Sequence, residues 1–221
     1  MSLDTEPRIY RYILTTDDGT APNPFDGYYT LAICKPDIRR TARKGDWVLG
    51  FRSRAHDRLI YAMEVSETPA FEEYWRDKRF RRRHPGDATV PADNIYKPMA
   101  TIGPDGVPQF KQVRNPSHGE DQQERDLRGK RILVATRFWY FGGAAPVLPP
   151  SLAALQIHHR GHVVHRGRRP GDLKELLRWL GRYPAKMIGA PTHESPTSAR
   201  DCSTCSTTSA RPREHRGRRR C

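Results

Sequence analysis

Four residues near the start of the chain, Asn23, Phe25, Tyr28 and Tyr29, lie close to three cations, Lys35, Arg39 and Arg40. Flat aromatic faces beside cations suit a surface that stacks bases and neutralises phosphates; stacking contributes about 1–3 kcal/mol per base. A core role for the rings, with solvated arginines around them, is the competing reading. Trp47 follows Gly45-Asp46 and could form one wall of a base cage, with Trp139 or Tyr140 as another. A buried Trp fits the same position. Asp46 suits either a base edge or the turn itself. Asn94 and Tyr96, in Asp93-Asn94-Ile95-Tyr96, offer amide and phenol groups for a Watson–Crick edge, or an Asx-turn.

Further cations are candidate phosphate contacts: Arg52, Arg54 and Arg58 in one loop, then Arg79, Arg81, Arg82, Arg83 and His84. A solvated charged surface is their alternative. His158, His159, His162 and His165 have spacings that one helical face could present to a metal. However, Gly161 interrupts them, Val163-Val164 reads as extended, and Arg160, Arg166, Arg168 and Arg169 would repel a cation. No metal and no cofactor is expected. Cys202-Ser203-Thr204-Cys205 is a C-x-x-C in a stretch with no core to hold a zinc site. A His118–Glu120–Asp121 group, with Asp126 nearby, could supply acid–base chemistry, but no spacing designates a catalytic residue.

The elements that must position these groups read as follows. Strands are expected over Ile9–Leu14, Trp47–Phe51, Leu59–Val65 and Ile132–Phe141, from aromatic and β-branched runs, and a strand or an extended segment over Tyr28–Cys34. The run Arg52–Arg58 is expected as a hairpin loop. Helices are expected over Ile38–Arg43, Phe71–Asp77 and Asp172–Gly181, the last with Leu173, Leu176, Leu177 and Leu180 on one stripe. The long stretch Arg79–Asp126 reads as loop-rich, functional or concealing short strands. Strands in contiguous groups argue for an α+β fold, a small mixed β-barrel with short flanking helices, over a doubly wound sheet. No G-x-G-x-x-G follows a strand and no G-x-x-x-x-G-K-[ST] occurs, so dinucleotide and triphosphate folds lose their usual support.

Ala21-Pro22-Asn23-Pro24-Phe25, Tyr29-Thr30-Leu31-Ala32-Ile33-Cys34-Lys35-Pro36, Ile38-Arg39-Arg40 and Gly45-Asp46-Trp47-Val48-Leu49-Gly50 resemble the second nucleotide modification associated domain family of bacteria and phages. Leu59–Val65, Tyr74-Trp75-Arg76-Asp77, Arg79-Phe80, Asp93-Asn94-Ile95-Tyr96 and Phe138-Trp139-Tyr140-Phe141-Gly142 continue the resemblance, which spans about Ile9 to Gly167. It implies an association with modified-nucleotide or phage-conflict systems. The Gly45-Asp46 turn before an apolar strand also looks like the PUA-like β-barrels, several of which read flipped, modified bases.

Composition sets the outer limits. The 221 residues carry 39 Lys+Arg against 25 Asp+Glu, a net +14, with a mean hydropathy of −0.82. Residues 187–221 hold seven arginines, three acids and no aromatic side chain, a net +4 that leaves +10 on residues 1–186. The division expected is therefore a basic domain, 1–186, and a disordered Ser/Thr/Arg-rich tail, 187–221. No apolar run approaches the roughly 18 residues of a membrane span, and the opening residues do not read as a secretory signal. Four cysteines are no disulfide framework. A cytoplasmic domain is expected, partnered by nucleic acid or a nucleotide and not by a membrane. It would accommodate a base, modified or not, in an aromatic pocket. The alternative is an enzyme acting on nucleotides, drawing on Asn23, Lys35, Asp46, Asn94 and His118.

Overall fold

The computed structural model describes residues 6–86, 90–115, 118–159, 161–165 and 170–193. Nine strands and four α-helices occur among them, in the order β1 (Ile9–Leu14), β2 (Tyr29–Leu31), α1 (Pro36–Thr41), β3 (Trp47–Arg52), β4 (Ala55–Glu64), α2 (Phe71–Arg76), β5 (Tyr96–Ile102), β6 (Pro108–Gln112), α3 (Gln123–Leu127), β7 (Leu133–Ala135), β8 (Arg137–Tyr140), β9 (His162–His165) and α4 (Pro170–Leu180). Short 3-10 turns fill the connections, the longest being Lys78–Arg83 and Pro150–Leu155.

The main sheet has five strands in the order β8-β4-β3-β1-β9. β1 and β3 run parallel, with Ile9 opposite Trp47, and the remaining pairs are antiparallel. β3 is central and buried from Trp47 to Phe51, which is why its sequence is a continuous apolar run. Gly50 on it admits no side chain: a Cβ there would meet the Tyr61 ring at 2.2 Å and Leu14 at 2.4 Å. β2–β7 and β5–β6 form two separate two-stranded sheets. The α+β class holds, but the described strands form an open sheet and not the expected closed barrel.

Other expectations need correction. The run Ile132–Phe141 is two strands: β7 pairs with β2, β8 pairs with β4, and the chain changes sheets at Thr136. The loop expected at Arg52–Arg58 shrinks to a tight turn, because β4 already begins at Ala55 and Arg54 adopts φ 65°. The stretch Arg79–Asp126 conceals β5, β6 and α3. α4 begins at Pro170, so Asp172 lies in its first turn. Met187–His193, assigned by composition to the tail, lies against the sheet. Ile188 N–H donates to Tyr140 O (2.8 Å) and His193 N–H to Asp17 O (2.9 Å). Backbone hydrogen bonds hold this stretch, which composition cannot register. Residues 194–221, with Cys202 and Cys205, lie outside the described residues. No helix among the described residues is long and apolar enough to cross a membrane.

Two cores result. The larger packs the main sheet against α4 and the Pro150–Leu155 turn. The smaller gathers Ile33, Phe71, Tyr74, Phe80, Ile95, Tyr96 and Ile132 around α2. Each buried side chain of this size contributes about 1.5–3 kcal/mol. The smaller core is flanked by two buried arginine–carboxylate pairs.

Candidate functional site

The link from β2 to α1 turns sharply at Cys34 and Lys35, two consecutive non-glycine residues in the left-handed region at φ 60° and 44°. Such residues cost about 1–3 kcal/mol each and persist only where their surroundings over-determine them. Here the surroundings are a buried polar centre. Asp126 Oδ1 accepts the Cys34 N–H at 2.9 Å, and Arg39 Nε donates to Cys34 O at 2.8 Å. Arg39 also donates to Arg131 O (2.9 Å) and Asp126 O (2.6 Å), and its Nη2 stands 3.8 Å from Asp126 Oδ1. Asp126 Oδ2 takes the Tyr96 hydroxyl at 3.0 Å and faces His118 Nε2 at 2.7 Å. The guanidinium of Arg39 lies flat on Gly129, where a Cβ would come within 2.5 Å of it. Burial alone would raise the Asp126 carboxyl. The hydrogen bond and charge of His118, with Arg39 and Arg125, outweigh burial and hold the group below the usual carboxylate range. Burial likewise lowers Arg39, against the pull of Asp126.

This centre supports one wall of an open cleft lined by Cys34, Lys35, Pro36, Asp37, Arg125, Gly161 and His162. Lys35 comes from the turn, Arg125 from α3 and His162 from β9. Lys35 Nζ lies 4.6 Å from the centre of the Tyr12 ring and makes no ion pair among the described residues. Arg125 Nη2 is 3.8 Å from Cys34 Sγ and 3.8 Å from Asp126 Oδ1. Burial first, then Lys35, pulls the His162 imidazole below its ordinary value, while Asp37 opposes them. Asp37, the cleft's acid, pairs with Arg40 at 3.3 Å on the exposed side of α1. Two permanent cations, an imidazole and a thiol therefore meet in a concave site whose backbone is clamped from behind. That combination suits an anionic group such as a phosphate, with Arg supplying forked donors and Lys a point charge.

A second buried centre occupies the other side of the smaller core. Asp93 accepts hydrogen bonds from Thr30 Oγ1 and from the Tyr74 hydroxyl (2.8 Å) and stands 3.6 Å from Arg83 Nη1. Arg83 is fully buried and donates to Thr30 Oγ1, Phe25 O (2.5 Å) and Tyr28 O (2.9 Å). Here burial outweighs Arg83 and the hydroxyls, and the Asp93 carboxyl is raised. Among the described residues no group of three His, Cys, Asp or Glu could hold a metal ion.

Against this geometry the sequence candidates divide sharply. Lys35 lies in the cleft. Asn23 does not: it is buried, donates to Pro91 O (2.7 Å) and accepts the Phe25 N–H (3.2 Å), closing a loop. Asn94 is buried too and donates to Tyr74 O (2.9 Å). Asp46 ties the turn before β3, accepting from Arg8 at its N–H, Nε and Nη2 and from the Arg43 N–H. Trp47 and Trp139, 2% and 3% exposed, stack on each other at 6.1 Å inside the main core and frame no open cage. Tyr29 and Tyr140 are fully buried, with Tyr140 donating to Asp17 Oδ1 at 2.6 Å. Tyr96 supports Asp126 from inside the smaller core. Of the aromatic candidates, Phe25 and Tyr28 alone are half-buried.

The expected phosphate arginines are mostly committed to carbonyls. Arg39 is buried in the polar centre. Arg52 donates to Gly142 O (3.0 Å) and Gly143 O (3.2 Å), and Arg58 to Ala145 O (2.9 Å), since the β3–β4 hairpin leans on that segment. Arg40 and Arg54 are exposed. Sequence reasoning missed Cys34, Arg125 and His162 as site residues. It noted His118 with Asp126 nearby, and those two do meet, while Glu120 points to solvent. A usable signal was Pro36, whose ring disfavours right-handed helix at Lys35 and so marks a bend there.

The family model described as nucleotide modification associated domain 2 matches residues 6–198. No curated protein and no solved structure matches the chain.

Proposed function

The chain belongs to the nucleotide modification associated domain 2 family, and from that premise we propose that it binds a nucleotide or nucleic acid within a nucleotide-modification system. The anionic group of that ligand enters the cleft between Lys35, Arg125 and His162. The observation that carries this reading is the convergence of those three side chains, from three separate elements, on one concave site held rigid by Asp126. Lys35 and Arg125 neutralise a phosphate. His162, kept neutral by burial, exchanges hydrogen bonds with it or with an adjoining base edge. None of the candidate rings lines the cleft: Phe25 and Tyr28 are half-buried beside Arg83, and the others are core. Within the nucleotide and nucleic-acid class, a modified base is the ligand to screen.

One observation favours a second reading, an enzyme acting on nucleotides: the Cys34 thiol lies 3.8 Å from the Arg125 guanidinium in the same cleft. A thiol beside a cation in a cleft is an arrangement that nucleophilic catalysis uses. Of the candidates for that chemistry, Lys35 lines the cleft, while Asn23, Asp46 and Asn94 do not and are held in hydrogen bonds elsewhere.

Titration of the full chain with nucleotides and with modified and unmodified oligonucleotides, at two salt concentrations, tests the proposal. Saturable binding that weakens with salt and is lost in Lys35→Ala is expected. Binding that ignores Lys35→Ala would remove the cleft from the site. Turnover that disappears in Cys34→Ser while binding persists would select the enzyme.

A further inference from the structure

The hairpin β5–β6 stands apart from the other sheets, and its outer half has no core face. Four consecutive residues of β5, Met99 to Ile102, are all exposed, where a strand lying on a core would alternate. Its root is fixed: Tyr96 is buried, and Phe110 packs on Phe71 at 5.7 Å. Beyond the root the ribbon carries two kinds of side chain that a free arm in water does not favour. Lys97 lies directly opposite Lys111 in the antiparallel register, and like charges in that position repel. Neither they nor Arg114 make an ion pair among the described residues, and Asp105, the one acid between 97 and 114, lies in the turn hydrogen-bonding the Val107 N–H at 3.2 Å. Towards the tip, Met99, Ile102 and Val107 are 42%, 57% and 48% exposed. An isolated two-stranded hairpin is marginal by itself, and exposed apolar groups on it point to a partner.

We propose that this ribbon is a groove-reading arm for B-form duplex DNA. It deepens the nucleic-acid reading above and rests on it, but not on the cleft. The charge complementarity is direct: unpaired Lys97, Lys111 and Arg114 at the base of the arm meet phosphates along the groove edges. The shape agrees, since a B-form major groove, about 12 Å wide, admits a two-stranded ribbon. The apolar tip then reaches the groove floor, where thymine methyls and base edges replace water around Ile102 and Val107. An A-form RNA duplex, with its narrow major groove, excludes the arm.

The test uses the full chain and a duplex DNA of about two helical turns, titrated across salt. In Lys97→Ala/Lys111→Ala, affinity falls about tenfold, and the slope of log K against log salt flattens by about 1.8, from two lost phosphate contacts at about 0.9 each. In Ile102→Ala/Val107→Ala, affinity falls several-fold with the slope unchanged, because no charge is removed. Thermal stability stays put in both, since these side chains lie outside the cores. Unchanged duplex affinity in both variants would overturn the proposal, as would equal binding of an RNA duplex. So would a sedimentation mass that drops in the variants, which would make the arm a contact between copies of the chain. Free-nucleotide affinity separates the two claims. If nucleotide binding is absent while arm-dependent duplex binding persists, the cleft reading fails and this one stands.

Discussion

The smaller core carries two buried carboxylates, each beside a buried arginine, and the two behave oppositely. Asp126 is held below the usual range, by His118, Arg39 and Arg125 acting against burial. Asp93 has Arg83, Thr30 and Tyr74 around it, yet burial wins and its carboxyl is raised. The difference is the number of basic groups around each carboxylate, since both arginines spend hydrogen bonds on carbonyls. Arg83 donates to Thr30 Oγ1 and to the carbonyls of Phe25 and Tyr28, and stands 3.6 Å from the carboxylate. Asp126 has His118 at 2.7 Å and two guanidinium groups at 3.8 Å. The Asp93 centre therefore closes a loop. The Asp126 centre keeps a full charge inside the protein and uses it to hold the strained Cys34–Lys35 turn at the wall of a cleft.

The largest effect that could break this comparison is on stability. Asp126→Asn leaves Arg39 without its counter-charge and is expected to cost about 3–5 kcal/mol in urea unfolding. Asp93→Asn is expected to cost at least about 1 kcal/mol less, because the carboxyl it replaces already holds its charge poorly. Equal costs would mean that the two centres are the same device.

The pH dependence sharpens it. For Asp126 the folded value lies below the unfolded one. Its contribution is present at pH above about 4 and is lost as pH falls through the folded value. The stability gap between the native chain and Asp126→Asn should thus stay level from pH 7 to about 4 and shrink below that. For Asp93 the folded value is raised, so the unfolded chain releases the proton first and stability falls as pH climbs from about 4 to the folded value. The native chain should therefore gain on Asp93→Asn as pH is lowered through that window. A level gap for Asp93 would contradict the difference.

Gly129→Ala gives a smaller, local probe. The new methyl meets the Arg39 guanidinium at 2.5 Å, and the expected cost is about 1–3 kcal/mol, together with faster hydrogen exchange at the Cys34 amide. An unperturbed Cys34 amide would show that Arg39 does not hold the turn.

Much of the scaffold was legible in the sequence, and little of the site. β1, β3, β4, α2 and α4 are long apolar or periodic runs whose faces announce burial. Ile132–Phe141 misled because one apolar run serves two sheets, and apolarity says nothing of which neighbour a strand takes. β5 escaped because its outer half, exposed from Met99 to Ile102, has no alternation to read, and β6 because its alternation spans only five residues opened by a proline. The site was hidden for another reason. Its central contact joins the Cys34 N–H to Asp126, 92 positions away, and a backbone donor leaves no trace in residue type. The aromatic candidates erred in the opposite sense. Trp47, Trp139, Tyr29 and Tyr140 have the residue types of a base cage, but the same rings fill a core equally well.

The most direct test sets two neighbouring cations against each other. Lys35 lies in the cleft, and Arg40, five residues on, sits exposed with Asp37. Equilibrium binding of a fluorescent nucleotide should weaken about tenfold or more in Lys35→Ala, from a charge-assisted hydrogen bond worth about 1.5–3 kcal/mol. In Arg40→Ala it should stay within about twofold, as an exposed pair contributes about 0–1 kcal/mol. Equal losses in the two variants would contradict the cleft and leave only a generally basic surface.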